Sequence, residues 1–257
     1  MWEMLLRRDG LVFAGGLLLV AGLSWVWLLM GAGMPMMSEG MAGGAHGRMM
    51  QPAVWSPGYA MLMFSMWWVM MVAMMLPSAA PVLLIYMRIA RKSQEKADAL
   101  APAAVFAAGY LVAWGGFSVV ATGAQWGLEA SGLLSPMLKT SSTWLAAAIL
   151  IAAGLWQLTP LKAVCLRYCR TPMGFLMGNW RTGVPGVFIM GLEHGAYCLG
   201  CCWFLMALLF VGGVMNFYWI AGLALYVLLE KTMPYGHWLG HAAGIGLIGW
   251  GAALVLV

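Results

Sequence analysis

Apolar residues fill seven long blocks of the chain, at roughly 11–30, 59–87, 101–123, 143–161, 185–212, 216–233 and 237–256, and polar residues gather between them. An α-helix needs about 20 consecutive apolar residues to cross the hydrocarbon core of a bilayer. In lipid only helices and closed barrels satisfy their own backbone groups, and these blocks are too long for barrel strands. The pattern predicts an all-α fold, a polytopic transmembrane helix bundle of about seven spans. The second and fifth blocks are over-long and contain proline or glycine, which predicts tilt or a break. In the second block, "LPSAAP" (Leu76–Pro81) is the expected bend, near the inner end. "MPYG" (Met233–Gly236) reads as the turn between the last two helices, its proline stopping the first. No internal repeat supports an inverted-repeat transporter.

Composition agrees. Of 257 residues, 63% are hydrophobic and 8% charged, and the mean hydropathy is +0.88; a soluble domain carries about a quarter charged residues. Residues 1–257 are expected to form a single integral membrane domain. The opening "MWEMLLRRDG" resembles a signal-peptide leader. The apolar run after it is longer than such leaders use and no small-residue cleavage site follows, so the first block reads as a retained helix.

The net charge of +5 does not point to nucleic acid, because the basic residues are sorted by loop. Arg7, Arg8, Arg88, Arg91, Lys92, Lys96, Lys162, Arg167, Arg170, Arg181 and Lys231 fall on one side, and only Arg48 and Lys139 on the other. Eleven of thirteen on one side places the N-terminus in the cytoplasm. Seven crossings then put the C-terminus in the periplasm of a bacterial inner membrane, with lipid around a multi-pass bundle.

Residues 31–57 read as a methionine-rich periplasmic loop and 162–183 as a basic cytoplasmic loop. The first holds Met34, Met36, Met37, Met41, His46, Met49 and Met50 in a glycine-rich setting without apolar periodicity. Thioethers gain nothing from water but can wrap a soft ion such as Cu(I). A plain linker in a methionine-rich chain is the bland alternative.

The fifth block carries the most chemistry: "GLEHGAYCLGCCWFLMALLFVGG" (Gly191–Gly213). On a helix, His194, Cys198 and Cys202 stack on one face, Cys201 sits one turn from Cys198, and Met190 and Met206 extend the stripe. Thiolate, thioether and imidazole donors favour copper(I), with zinc as the alternative. Glu193 is a further metal-ligand candidate; it points about 100° from His194, where it either pairs with a cation on another helix or is protonated, since a charge in lipid is costly. Buried cysteines are ordinarily packing residues.

Met66, Met70 and Met74 repeat at helical spacing in the second block, with Met71 and Met75 in an adjacent row. Such a stripe either fills a core or passes a soft cation inward from the methionine loop. Cys165 and Cys169, four apart beside Arg167 and Arg170, supply half a zinc site, a reactive pair, or simply reduced cytosolic thiols without a role. His237 and His241, with Glu230 nearby, form a carboxylate/imidazole candidate or simply polar residues at a helix end.

Three stretches, "MWWVMMVAMMLPSAAP", "LTPLKAVCLRYCRTP" and "GLEHGAYCLGCCWFLMALLFVGGVMNFYWIAGLALYVLLEKTMP", resemble a bacterial family of predicted metal-binding integral membrane proteins. The resemblance spans much of Met66–Pro234 and implies a metal-associated membrane protein without fixing an activity.

The expected function is soft-metal binding for transfer, delivery or homeostasis, with a membrane or periplasmic protein partner as recipient. The chain has no P-loop or other nucleotide motif to drive transport itself. One rival is a membrane thiol/quinone or copper-dependent oxidoreductase using the C-x-x-C of Cys198 and Cys201, which their depth in the helix disfavours. The other is a structural or assembly subunit of a larger complex, for which fifteen tryptophans and many glycines suit helix contacts.

Overall fold

The computed structural model describes residues 2–31, 55–93, 100–135 and 138–256, helical apart from loops and one isolated bridge between Leu134 and Thr140. Ten helices follow among these residues: α1 (Trp2–Leu29), α2 (Pro57–Ser93), α3 (Leu100–Ala130), α4 (Thr143–Gln157), α5 (Pro160–Arg170), α6 (Pro172–Gly178), α7 (Gly183–Ala207), α8 (Leu209–Gly212), α9 (Phe217–Thr232) and α10 (Gly236–Leu256). The all-α expectation holds, and Met233–Tyr235 form the expected turn before α10.

The span count differs from seven. Five helical segments are long and apolar enough to cross a membrane, and a sixth arises if α4 and α5, bent by 65°, count together. Helix α9 has 16 residues, about 24 Å at 1.5 Å per residue, short of a core about 30 Å thick. Helix α4 has 15 residues and stops because Pro160 has no N–H for Trp156 O, which the Thr159 amide takes at 3.1 Å. Thr159 then caps α5 by accepting from the Lys162 amide at 3.3 Å. The stretch expected as a basic loop is therefore folded: α5 and α6 bury Leu166, Phe175 and Leu176.

Helix α2 runs unbroken through Pro77 and Pro81, so the prolines do not break it. Tyr110 Oη of α3 donates to Met75 O at 3.2 Å, and within α2 Ser78 Oγ donates to the same oxygen at 2.8 Å.

Helices α2 and α7 form the centre, about half of their apolar residues buried, whereas α1 at the rim is mostly exposed. Outward Leu18, Val120, Ile245 and Leu256 stay exposed, an apolar exterior fit for lipid. In lipid, helices associate by close backbone packing at small residues. A Cβ on Gly109 of α3 would strike Phe188 O of α7, and one on Gly191 would strike Phe106 O. This glycine crossing presses the His194 and Cys198 face of α7 against Tyr110. A second crossing joins α4 to α10, where a Cβ on Gly154 would stand 2.6 Å from Gly244 O.

Candidate metal centre

The stripe expected on α7 is real and faces inward: Met190, His194, Cys198, Cys201, Cys202 and Met206 are all buried. Periodicity alone produces this, because positions four apart fall on the face that the glycine crossing turns toward the bundle. His194 sits among Phe175, Tyr110 and Phe106, at ring distances of 4.9, 5.9 and 6.1 Å, and its Nδ1 is buried without a partner. An imidazole nitrogen lacking a hydrogen bond in an apolar setting retains its ligating capacity.

Other helices complete the surroundings of Cys198. From α3, Tyr110 Oη lies 3.1 Å from Cys198 Sγ; from α9, Lys231 Nζ donates to Cys198 Sγ at 2.9 Å and to Ser78 Oγ of α2 at 3.1 Å. Cys202 Sγ is 4.0 Å from Met75 Sδ. The turn at Pro160 brings α5 onto α7, so that Cys165 Sγ rests against Gly200, where a Cβ would stand 2.6 Å from it. Cys169 comes within side-chain interaction range of Cys198 and Cys201. All five cysteines are free thiols. The cysteine pairs that seemed separate sites in sequence therefore form one sulfur-rich contact between α5 and α7.

This contact is not a preformed cage. Among the described residues no three or more His, Cys, Asp and Glu side chains are arranged to hold a metal ion. The reason is local: the thiols of Cys201 and Cys202 both turn back to donate to Cys198 O at 3.0 Å. Gathering these sulfurs around one ion requires rotation about their Cα–Cβ bonds.

The remaining candidates divide. Met66, Met70 and Met74 are buried as expected, but Met75, in the adjacent row, makes the sulfur contact with Cys202. Glu193 lies outside the cluster and pairs with Arg181 in a half-exposed ion pair. Glu230, His237 and His241 do share a cavity of about 480 Å³ with Lys162 and Arg167. There, however, Glu230 forms a buried ion pair with Lys162, and His241 Nδ1 bonds His237 O of its own helix at 2.7 Å. Met34, Met36, Met37, Met41, His46, Met49 and Met50 lie outside the described residues.

Three participants were not identified from sequence: Lys231, Tyr110 and Ser78. Lys231 carried a usable signal, since a lysine at the end of the apolar "LALYVLL" needs a partner. Tyr110 and Ser78 carried none.

A family model described as PpoB2, copper chaperone, matches residues 64–254. No curated protein and no solved structure matches the chain.

Proposed function

The chain belongs to this copper chaperone family, and from that premise we propose that it carries Cu(I) among the sulfurs between α5 and α7 and delivers it to a membrane or periplasmic protein. One observation supports this most: cysteines from two helices converge at one contact, 165 and 169 half-buried on α5 and 198, 201 and 202 buried on α7. Packing alone has no need of five thiols at one contact. Soft sulfur donors favour Cu(I), which accepts two or three ligands, over Zn(II), whose structural sites close with four.

Copper is the cargo in this proposal. Cys198 and one of Cys169, Cys201 and Cys202 would hold it as thiolates, with Met75 and His194 within reach of the same region. The methionine loop, Met34 to Met50, would collect the ion, and Met66, Met70 and Met74 would line its way inward. Arg7 and Arg8 before the first apolar block, with Arg88, Arg91 and Lys92 near the end of α2, support a bacterial inner membrane location with a cytoplasmic N-terminus. Burial of both cysteines of the C-x-x-C motif, about 1% exposed each, disfavours exchange with a protein thiol and hence the oxidoreductase alternative.

Metal analysis tests the proposal. Full-length protein purified in detergent under anaerobic, reducing conditions is expected to hold about one copper per chain, lost in Cys198→Ser. Protein that takes up no copper, or a Cys198→Ser variant that retains it, would overturn the proposal.

A further inference from the structure

Lys231 is 7% exposed and extends from the end of α9 into the sulfur cluster, donating to Cys198 Sγ at 2.9 Å and Ser78 Oγ at 3.1 Å. Of the cations around this region, Lys162 and Arg181 are neutralised by Glu230 and Glu193, and Arg170 of α5 donates to Met233 O and Pro234 O. Adjacent in sequence, Glu230 and Lys231 diverge by about 100° on the helix, one toward α5 and the other toward α7. Among the described residues no carboxylate pairs with Lys231, which brings its charge to the thiols.

We propose that the Lys231 ammonium makes this centre select monovalent over divalent soft ions. The inference rests on the copper-binding proposal above and adds the residue that sets its ionic preference. In a low-dielectric interior net charge decides what can be accommodated. Two thiolates, one ammonium and one Cu(I) sum to zero. The same set around Zn(II) leaves an uncompensated positive charge, and the ammonium repels the divalent ion twice as strongly at equal distance. Cu(I) and Zn(II) share a filled d shell, so ligand-field preference does not separate them, and the ammonium adds a charge preference to the softness and ligand number that already favour Cu(I). Ag(I) and Cd(II) form a second pair of the same kind.

The position of Lys231 suits this role. Ser78 Oγ directs its own hydrogen to Met75 O and so offers lone pairs to the ammonium, fixing the charge beside Cys198. A lysine serving only to anchor α9 in the headgroup region would snorkel outward instead.

The test titrates detergent-purified full-length protein anaerobically with Ag(I) or Cd(II), and separately with Cu(I) or Zn(II), against a competing chromophoric chelator. Lys231→Met is expected to shift the monovalent-to-divalent affinity ratio toward the divalent ion by at least about tenfold, while Lys231→Arg holds it within about threefold of wild type. Lys231→Gln, which retains hydrogen-bonding groups but no charge, is expected to follow Lys231→Met and serves if that variant does not fold. A ratio unchanged in both neutral variants, or affinities for both ions altered equally, would overturn the role of Lys231 and leave copper binding intact. Wild-type protein that binds neither Cu(I) nor Ag(I) would overturn the copper proposal itself.

Discussion

Cys165 Sγ fills the space beside Gly200 that a side chain would occupy: a Cβ there would stand 2.6 Å from the sulfur. The glycine inside the "CLGC" motif therefore admits α5, with its two cysteines, onto α7. Gly200→Ala is expected to push the helices apart, at a cost of about 1–3 kcal/mol, and to weaken copper binding. Cys165→Ala in the same chain is expected to recover most of the stability, because it removes the obstructing sulfur. Thermal unfolding of the single and double variants in detergent checks this.

The α3–α7 crossing predicts a sharper contrast. Gly191→Ala drives a Cβ into Phe106 O, and a backbone carbonyl cannot step aside as a side chain can. A loss of about 3 kcal/mol or more is expected. Gly249→Ala, on the open side of α10 with nothing within 4 Å of its Cβ, is expected to be neutral or to gain about 0.5–1 kcal/mol. Unfolding temperatures of the two variants, read side by side, check the difference.

The two ion pairs predict opposite sensitivities. Glu230 and Lys162 are 1% and 3% exposed at their side chains, so Glu230→Gln strands a buried ammonium, with an expected cost of about 3–5 kcal/mol. Replacing both, as Glu230→Gln with Lys162→Met, is expected to restore part of it. Glu193 and Arg181 are 31% and 44% exposed, and Glu193→Gln is expected to cost no more than about 1 kcal/mol. Chemical denaturation in mixed micelles measures both.

Much of this arrangement was legible in the chain. Met190, His194, Cys198, Cys202 and Met206 recur at helical spacing, and one face of one helix follows from that alone. What the apolar pattern misses is where a helix stops. It joined 143–161 into a span, although Pro160 ends the Trp156 ladder and turns the chain by 65°. That turn brings Cys165 and Cys169 to Cys198, and no local signal reports a contact made across more than 25 residues. The prolines of α2 signalled a break that does not occur, since the helix continues through both. Lys231 was counted with the charges at a helix end; spacing shows that it diverges from Glu230, but not that a thiol awaits it.

The central claim is that sulfurs from both α5 and α7 hold the ion. X-ray absorption at the copper edge of the Cu(I)-loaded protein tests it most directly. A coordination shell dominated by sulfur is expected, losing sulfur scattering in Cys198→Ser and again in Cys169→Ser. A shell of nitrogen and oxygen, or one unchanged by either substitution, would contradict it.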